Sequence, residues 1–453
     1  MPLPRDDSGL LRHGALMVVG TLAGAACNAG FHMVSGRLLD ASAYGALVAM
    51  LGIVLAFSQP MLALQNTLAH RIALLCRDGR RSDVPACFRR WLPWPVLLAV
   101  PLLPAAAWLF RAPLGAFWNT DGRLVVLTAA ILPLTMGMSL FSGLWQGMQS
   151  FFWLAFAPQA WGVVRLLLGT ALMFAGFRTA TAALSAQFAG VLLVLLLGGL
   201  YLLRLPRAPS PAQALREPGP GHASSGRYLV LSCLSLVAYG LLMNLDTALA
   251  KHWFPADAAG LFAKAATIAR TAVFLPVPIA AALFPKVASD GTLPPGSAQL
   301  LRRALLYAGL LVAAAAAVCV ALPSLPWLIL YGPCPADLQS QAHLLVRAMT
   351  LAMGPLALAY LLLNFEMAQN RFRRPLLLLP CALLYILGTA LLRAPLALLS
   401  IPASLLSAPS SPSSSSPAAP DPPPPPFPPS PHHATRLWKM IDNPTNPPHP
   451  LPP

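Results

Sequence analysis

Long uninterrupted apolar runs recur along residues 14–407. Most approach the roughly 20 residues that a helix needs to cross the hydrocarbon core of a bilayer. This feature restricts the fold more than any other, because a backbone surrounded by lipid must satisfy its own hydrogen bonds, and only helices and closed barrels do so. Barrel strands would show as alternating segments of about ten residues. The runs here are continuous, which predicts an all-α, polytopic membrane protein. Twelve spans are expected: 14–38, 44–69, 92–110, 124–148, 153–177, 180–203, 228–250, 259–285, 302–331, 341–369, 375–392 and 394–407. The last is short for a crossing. Of 453 residues, 57% are hydrophobic and only 10% charged, against about 25% charged in a soluble domain. That balance excludes an ordinary soluble enzyme and a disordered chain.

The formal net charge is +16, and its placement follows the expected membrane topology. Loops after the even-numbered spans carry Arg71, Arg77, Arg80, Arg81, Arg89 and Arg90, then Arg204, Arg207, Arg216 and Arg227, then Lys286, Arg302 and Arg303, then Arg371, Arg373 and Arg374. With Arg5 and Arg12 that side holds eighteen cations, and the other holds five: Arg37, Arg111, Arg123, Arg178 and Lys251. Cytoplasmic loops carry the excess of Lys and Arg, so the N-terminus is expected in the cytoplasm. Basic and aromatic residues are not interleaved as base stacking would require, and no nucleic-acid partner is expected. The first span is too long and too polar inside for a cleaved signal peptide, so it is expected to remain as helix 1.

The longest loop between spans, 204–227, contains five prolines and reads as a cytoplasmic linker between two six-helix halves, 1–203 and 228–407. The halves show signs of duplication. A shift of 215 residues puts Gly45 on Gly260 and Arg71 on Lys286; a shift of 219 puts the Leu168–Leu172 stretch, LGTAL, on Leu387–Leu391. A shift of 220 puts Gln149 on Gln369. Such repeats would be related by an axis along the membrane normal, with a central cavity and the site between them. The tail 408–453 holds 18 prolines; proline removes donors and breaks helices, so disorder or polyproline II is expected there.

A charge inside a span is costly and faces a cavity or a partner. Arg165, Lys264, Arg270 and Arg347 are therefore candidate ligand-binding cations, and Asp246 is the best proton or cation handle; its alternative role is an ion pair with a cation on another helix. Arg37 and Lys251, near span ends, are read as snorkelling, and Glu366 as balancing the nearby arginines. Polar stripes at helical spacing run along helix 1 (Thr21, Ala25, Asn28, His32, Ser35), helix 2 (Gln59, Ala63, Asn66, His70) and helix 7 (Ser235, Tyr239, Leu242, Asp246). These predict a wet interior shared by helices 1, 2 and 7, with Asn28, His32 and Asn66 as candidate ligand contacts; the plainer reading is polar glue between helices. Pro60, Pro276, Pro278 and Pro285 interrupt matched helices of the two halves, which suits rocking. Gly20 and Gly24 form a close-packing motif.

Catalytic signatures are missing. There is no H-E-x-x-H and no phosphate-binding glycine–lysine loop, and no loop on the cation-poor side exceeds about 15 residues, little room for the catalytic loop of a membrane glycosyltransferase. The seven cysteines have no metal-ligand spacing, so no metal site is expected, and no enzyme activity.

Several stretches resemble one family. Gly36-Arg37-Leu38-Leu39-Asp40 followed by Tyr44-Gly45, then Asn244-Leu245-Asp246, Ala259-Gly260-Leu261-Phe262 and Leu283-Phe284-Pro285-Lys286-Val287, then Tyr331-Gly332 and Asn364–Asn370, resemble bacterial polysaccharide-biosynthesis flippases. These belong to the multidrug/oligosaccharidyl-lipid/polysaccharide exporter superfamily. The resemblance covers about residues 10–393. It implies two six-helix bundles facing a central cavity in a bacterial inner membrane. It implies flipping of a polyprenyl-pyrophosphate-linked oligosaccharide to the outer leaflet, driven by an H⁺ or Na⁺ gradient with no other cofactor, and a polysaccharide polymerase and glycosyltransferases as partners. Arg165, Lys264, Arg270 and Arg347 would then hold the pyrophosphate, Asp246 would couple the ion, and Asn28, His32 and Asn66 would meet sugar hydroxyls. The rival readings are a cation-coupled drug or metabolite antiporter of the same superfamily, a membrane enzyme of glycan assembly, and a non-transporting component of a glycan-assembly complex.

Overall fold

A computed structural model describes residues 7–91, 94–206, 222–274, 297–369 and 371–392. The expected span 394–407, the proline-rich tail, Pro276, Pro278, Pro285 and Lys286 lie outside the described residues, as do residues 207–221 of the expected linker. Every regular element described is helical. The first half contains α1 (Asp7–Leu38), α2 (Ala41–Arg77), α3 (Val84–Trp91), α4 (Trp94–Leu109), α5 (Arg111–Phe117), α6 (Gly122–Gly147), α7 (Phe151–Phe156), α8 (Ala160–Phe174) and α9 (Ala180–Leu203). The second contains α10 (His222–Trp253), α11 (Ala256–Phe274), α12 (Ser297–Ala321), α13 (Ser324–Tyr331), α14 (Gln339–Ala368) and α15 (Leu378–Leu392).

Eight described helices are long and apolar enough to cross a membrane, and nine if the bent pair α4–α5 is one span. Of the expected twelve, 394–407 lies outside the described residues, 375–392 holds only a shorter apolar helix, and the described part of 259–285 is too charged to count. The other runs keep a span, with α7 and α8 together making one, but several change shape or ends. The run 92–110 turns by 76° into α5. The run 302–331 breaks at Leu322–Pro323, where proline lacks the donor needed to continue α12. The run 153–177 is jogged between α7 and α8 around Pro158. α11 carries Asp257, Lys264 and Arg270 in 19 residues, and is more polar than a simple span. α10 starts at His222, inside the stretch expected to be linker. α2 runs eight residues past its expected end at 69, to Arg77; its 37 residues make about 55 Å of helix, more than the roughly 30 Å hydrocarbon core. It continues through Pro60, which is buried within it.

Helix starts are set by side-chain caps. Asp40 accepts from the Ala43 amide (2.6 Å), Asp121 from Arg123 (2.9 Å) and Thr179 from Ala182 (3.2 Å), each satisfying a donor the helix leaves orphaned. Large apolar side chains of α4, α9 and α12, among them Leu102, Trp108, Leu196, Leu200, Leu306 and Leu310, are exposed. In a soluble protein such a belt would be a liability; here it is the surface a bilayer covers.

Within the first half α2 packs on α6, α6 on α4 and α9, and α8 on α1 and α9. Within the second, α14 packs on α11 and α12, and α15 on α10. The halves meet through α2 against α10 and α11, and through α1 against α13. The α2–α10 seam is antiparallel: Gly52 faces the Asn244 carbonyl, Gly240 faces Ala56 and Gln59, and the Cys233 thiol donates to the Pro60 carbonyl at 3.6 Å. At its end Gly45 meets Gly260; a Cβ on Gly45 would stand 3.0 Å from the Gly260 Cα. These are the two glycines matched by the 215-residue shift, and a two-fold relation between halves brings equivalent residues together at its axis. Gly20 and Gly24 are contact points too, against Ala155 and Gln159.

Candidate ligand site between the two halves

The end of the molecule where α1 stops and α2 starts is called here the distal face. Just inside it, six helices bring polar side chains together. His32 of α1 has its Nδ1 3.2 Å from the Tyr44 Oη of α2. Tyr44 Oη lies 3.0 Å from the Tyr331 Oη of α13 and 3.3 Å from the Thr267 Oγ1 of α11. Tyr331 Oη donates to the Lys264 carbonyl at 3.2 Å. A phenol has one proton; Thr267 Oγ1 gives its own to the Ala263 carbonyl at 2.8 Å, so Tyr44 donates to Thr267, and His32 Nδ1 and Tyr331 Oη lie within hydrogen-bond distance of the same Tyr44 oxygen. The contacts His32–Tyr44–Tyr331–Lys264 form a chain that stitches both halves together. Gly36 of α1 admits the Tyr331 ring at close range.

Three cations surround this chain. The Lys264 ammonium sits 5.3 Å from the Tyr331 ring centre and 5.9 Å from that of Tyr44, within cation–π range, and takes no hydrogen-bond partner among the described residues. Arg165 of α8 is 3% exposed. Its guanidinium lies 4.3 Å from the Phe31 ring centre and 4.6 Å from that of Trp161 and donates to the Asn28 side-chain oxygen; its Nε has no partner. Arg270 of α11 donates from Nη2 to the Asp246 carboxylate and from Nε to the Met243 carbonyl (3.2 Å). Arg270 and Arg165 both lie close enough to His32 and Tyr44 to act on them electrostatically.

The sequence-derived candidates thus divide. Asn28, His32, Arg165, Lys264 and Arg270 converge. Asp246, 1% exposed, adjoins them as the partner of Arg270. Its ion pair is with another helix and engages Oδ1, while Oδ2 has no partner among the described residues. Arg347 is exposed and donates to the Val320 carbonyl at 2.9 Å, capping the end of α12. Asn66 sits 22 residues beyond Tyr44 on α2, about 33 Å along the helix axis, so the structure separates it from the cluster. The expected wet interior shared by helices 1, 2 and 7 is divided as well. Thr21, Ser35 and Ser235 bond back to carbonyls of their own helices, at 2.8, 2.7 and 2.8 Å. On α10, Tyr239 stacks with Tyr360 of α14 at 5.4 Å, inside the second half. The middle of the α1 stripe, Asn28 and His32, and the last residue of the α10 stripe, Asp246, reach the site.

Tyr44, Tyr331 and Thr267 were not among the expected ligand contacts. Two of them carried a partial signal, since Tyr44-Gly45 and Tyr331-Gly332 are Tyr-Gly pairs, as is Tyr239-Gly240, which lies elsewhere. Lys251, expected to snorkel, is 1% exposed, with its ammonium 3.4 Å from the Ser42 carbonyl. It belongs to a second set of contacts nearer the distal face. There Arg37 donates to the carbonyls of Ile329 (2.6 Å) and Leu330 (3.1 Å), and Asn119 to that of His252 (3.3 Å). Cys334, in the loop after α13, is half-buried beside Lys264; burial pushes its thiol above the ordinary range, against the pull of that ammonium. Glu366, at the opposite face, pairs with Arg374 at 2.9 Å, as its balancing role predicts. No group of metal-ligating side chains occurs among the described residues.

The fold has counterparts of known structure. An inward-facing multidrug resistance MATE family transporter of the MOP superfamily superposes with a TM-score of 0.62 at 14% identity, over 81% of this chain and 86% of that one. The lipid II flippase MurJ, in an inward closed conformation, gives 0.63 at 10% identity, over 84% and 83%. An outward-facing MATE transporter gives 0.57 at 16% identity, over 86% and 90%. No family model and no curated protein matches the sequence. The chain therefore has the helical membrane-transporter fold shared by these exporters and this flippase.

Proposed function

We propose that this chain is a secondary-active flippase. It moves a polyprenyl-pyrophosphate-linked oligosaccharide from the cytoplasmic to the outer leaflet of a bacterial inner membrane, for polysaccharide biosynthesis. One observation carries this reading: Arg165, Lys264 and Arg270 converge between the halves, and among the described residues the one carboxylate in contact with them is Asp246. The site holds two positive charges in excess. Unpaired charge in a low-dielectric interior is costly, and a pyrophosphate diester, with two negative charges, offsets it through charge-assisted hydrogen bonds. Asn28, His32, Tyr44 and Thr267 offer donors and acceptors to sugar hydroxyls. A cationic drug would meet like charge in the same place, which counts against the antiporter reading. The similarity of fold to a lipid II flippase supports the choice of a lipid-linked substrate.

On this reading the arginine-rich face is cytoplasmic, an H⁺ or Na⁺ gradient supplies the energy, the polymerase and glycosyltransferases act on either side of the step, and the chain performs no chemistry of its own. The test is leaflet-resolved accumulation of polyprenyl-linked oligosaccharide after deletion of the gene in a host with no redundant flippase. Cytoplasmic-leaflet accumulation, rescued by the wild type but not by Lys264→Ala/Arg165→Ala, is expected. Absence of accumulation would move the antiporter or the non-transporting component to the front.

A further inference from the structure

Arg270 is held in an uneven way. Nε and Nη2 are engaged, by the Met243 carbonyl and Asp246, while Nη1 takes no partner among the described residues. On the Asp246 side, Oδ1 accepts both from Arg270 and from the Thr247 amide (2.8 Å), and Oδ2, though buried, accepts nothing. The pair is therefore single-pointed. The two-pronged arrangement that guanidinium and carboxylate geometry allows is not made. Arg270 lies near His32, Tyr44 and Tyr331 on one side and near Tyr385 on the other, so it stands where the inter-half site meets the interior of the second half.

We infer that Asp246 is an internal competitor for the ligand's phosphate, and that Arg270 is the shared partner for which they compete. This inference rests on the reading of the ligand as an anion. With the site empty, Asp246 occupies Arg270. An arriving pyrophosphate takes the guanidinium through Nη1 and then Nη2, and leaves Asp246 with only the Thr247 amide. A buried carboxylate stripped of its cation is unfavourable, so Asp246 draws Arg270 back and lowers the cost of releasing the phosphate on the far side. The carboxylate thus trades affinity for turnover. This role replaces the expectation that Asp246 holds the coupling ion.

The test uses the full chain in lipid nanodiscs with farnesyl pyrophosphate as probe. If Arg270 is free of Asp246 in about a tenth of empty molecules, removing the competitor tightens binding about tenfold. Asp246→Asn and Asp246→Ser are expected to show that gain, and Asp246→Glu to stay near the wild-type affinity. In an Arg270→Gln background the gain should vanish, because nothing remains to compete for. Flipping by Asp246→Asn in proteoliposomes should be slower than wild type despite the tighter binding. Using two removal variants of different size guards against a folding defect in either. Binding that depends on Lys264 and Arg270 but is unchanged or weakened by both removals would overturn the competition and leave the anionic ligand standing. Wild-type protein that does not bind farnesyl pyrophosphate, or binds it as well after Lys264→Ala and Arg270→Gln, would overturn the anionic-ligand reading and this inference with it.

Discussion

Arg165 and Arg270 are both buried arginines, one in each half, and they are balanced by different means. Arg165 has two aromatic faces and the neutral Asn28 amide, with its Nε unpartnered. Arg270 has a carboxylate. The first keeps its full charge available to a ligand; the second is charge-compensated until something displaces Asp246. A site with two standing cations, Arg165 and Lys264, and one reserved cation, Arg270, can attract an anion and still let it go, which three uncompensated charges would do poorly.

The largest effect that separates the two concerns stability. Arg270→Ala strands a buried carboxylate and should cost about 3–5 kcal/mol. Arg165→Ala leaves only a neutral amide short of a partner and should cost about 1–3 kcal/mol. Unfolding of both variants in the same nanodiscs measures this, and equal losses would erase the distinction. Next comes a rescue: Asp246→Ala placed on Arg270→Ala removes the stranded charge and should recover most of the lost stability, whereas Asn28→Ala placed on Arg165→Ala removes only a neutral amide and should recover about 1 kcal/mol. A third effect concerns access. Gly45→Leu cannot keep the approach to Gly260, so the distal face should part. Labelling of Cys334 by a membrane-impermeant thiol reagent, with the other six cysteines replaced, should then speed up several-fold; an unchanged rate would mean that this glycine contact does not hold the face shut. Arg37→Ala, which removes exposed bonds to α13 carbonyls, should cost about 0.5–1.5 kcal/mol and raise the labelling rate less than Gly45→Leu. The smallest effect expected is that of Asn66→Ala, which should leave farnesyl pyrophosphate affinity at the wild-type value because Asn66 lies far along α2.

The class of fold was readable because lipid imposes one rule on every span, and the apolar runs obey it. Their ends were less readable. Leu322–Pro323 breaks a helix inside a continuous hydrophobic run, and α2 carries on to Arg77 past His70 and Arg71, where a membrane span was expected to end. For the site, charge in an apolar helix singled out Arg165, Lys264, Arg270 and Asp246, which the fold brings near one another, because such charge needs a partner or a ligand. The same signal also marked Arg347, whose partner is a helix-end carbonyl away from the cluster, and the expected snorkelling of Lys251 gives way to burial against Ser42. Spacing alone placed Asn66 and Ser235 on polar stripes. It could not say which neighbour each stripe would face, since that depends on how helices from two halves pack. The pairing of Tyr44 with Tyr331, 287 residues apart in sequence, is such a packing outcome, although the repeated Tyr-Gly pair hinted that both mattered.

The central claim is that the net positive site between the halves handles a pyrophosphate-linked lipid. Its most direct test is transbilayer movement of a fluorescent polyprenyl-pyrophosphate disaccharide in proteoliposomes, run beside uptake of the lipophilic cation tetraphenylphosphonium. The account predicts protein-dependent movement of the lipid, lost in Lys264→Ala/Arg165→Ala, and no protein-dependent movement of the cation. Transport of the cation with no movement of the lipid would contradict it.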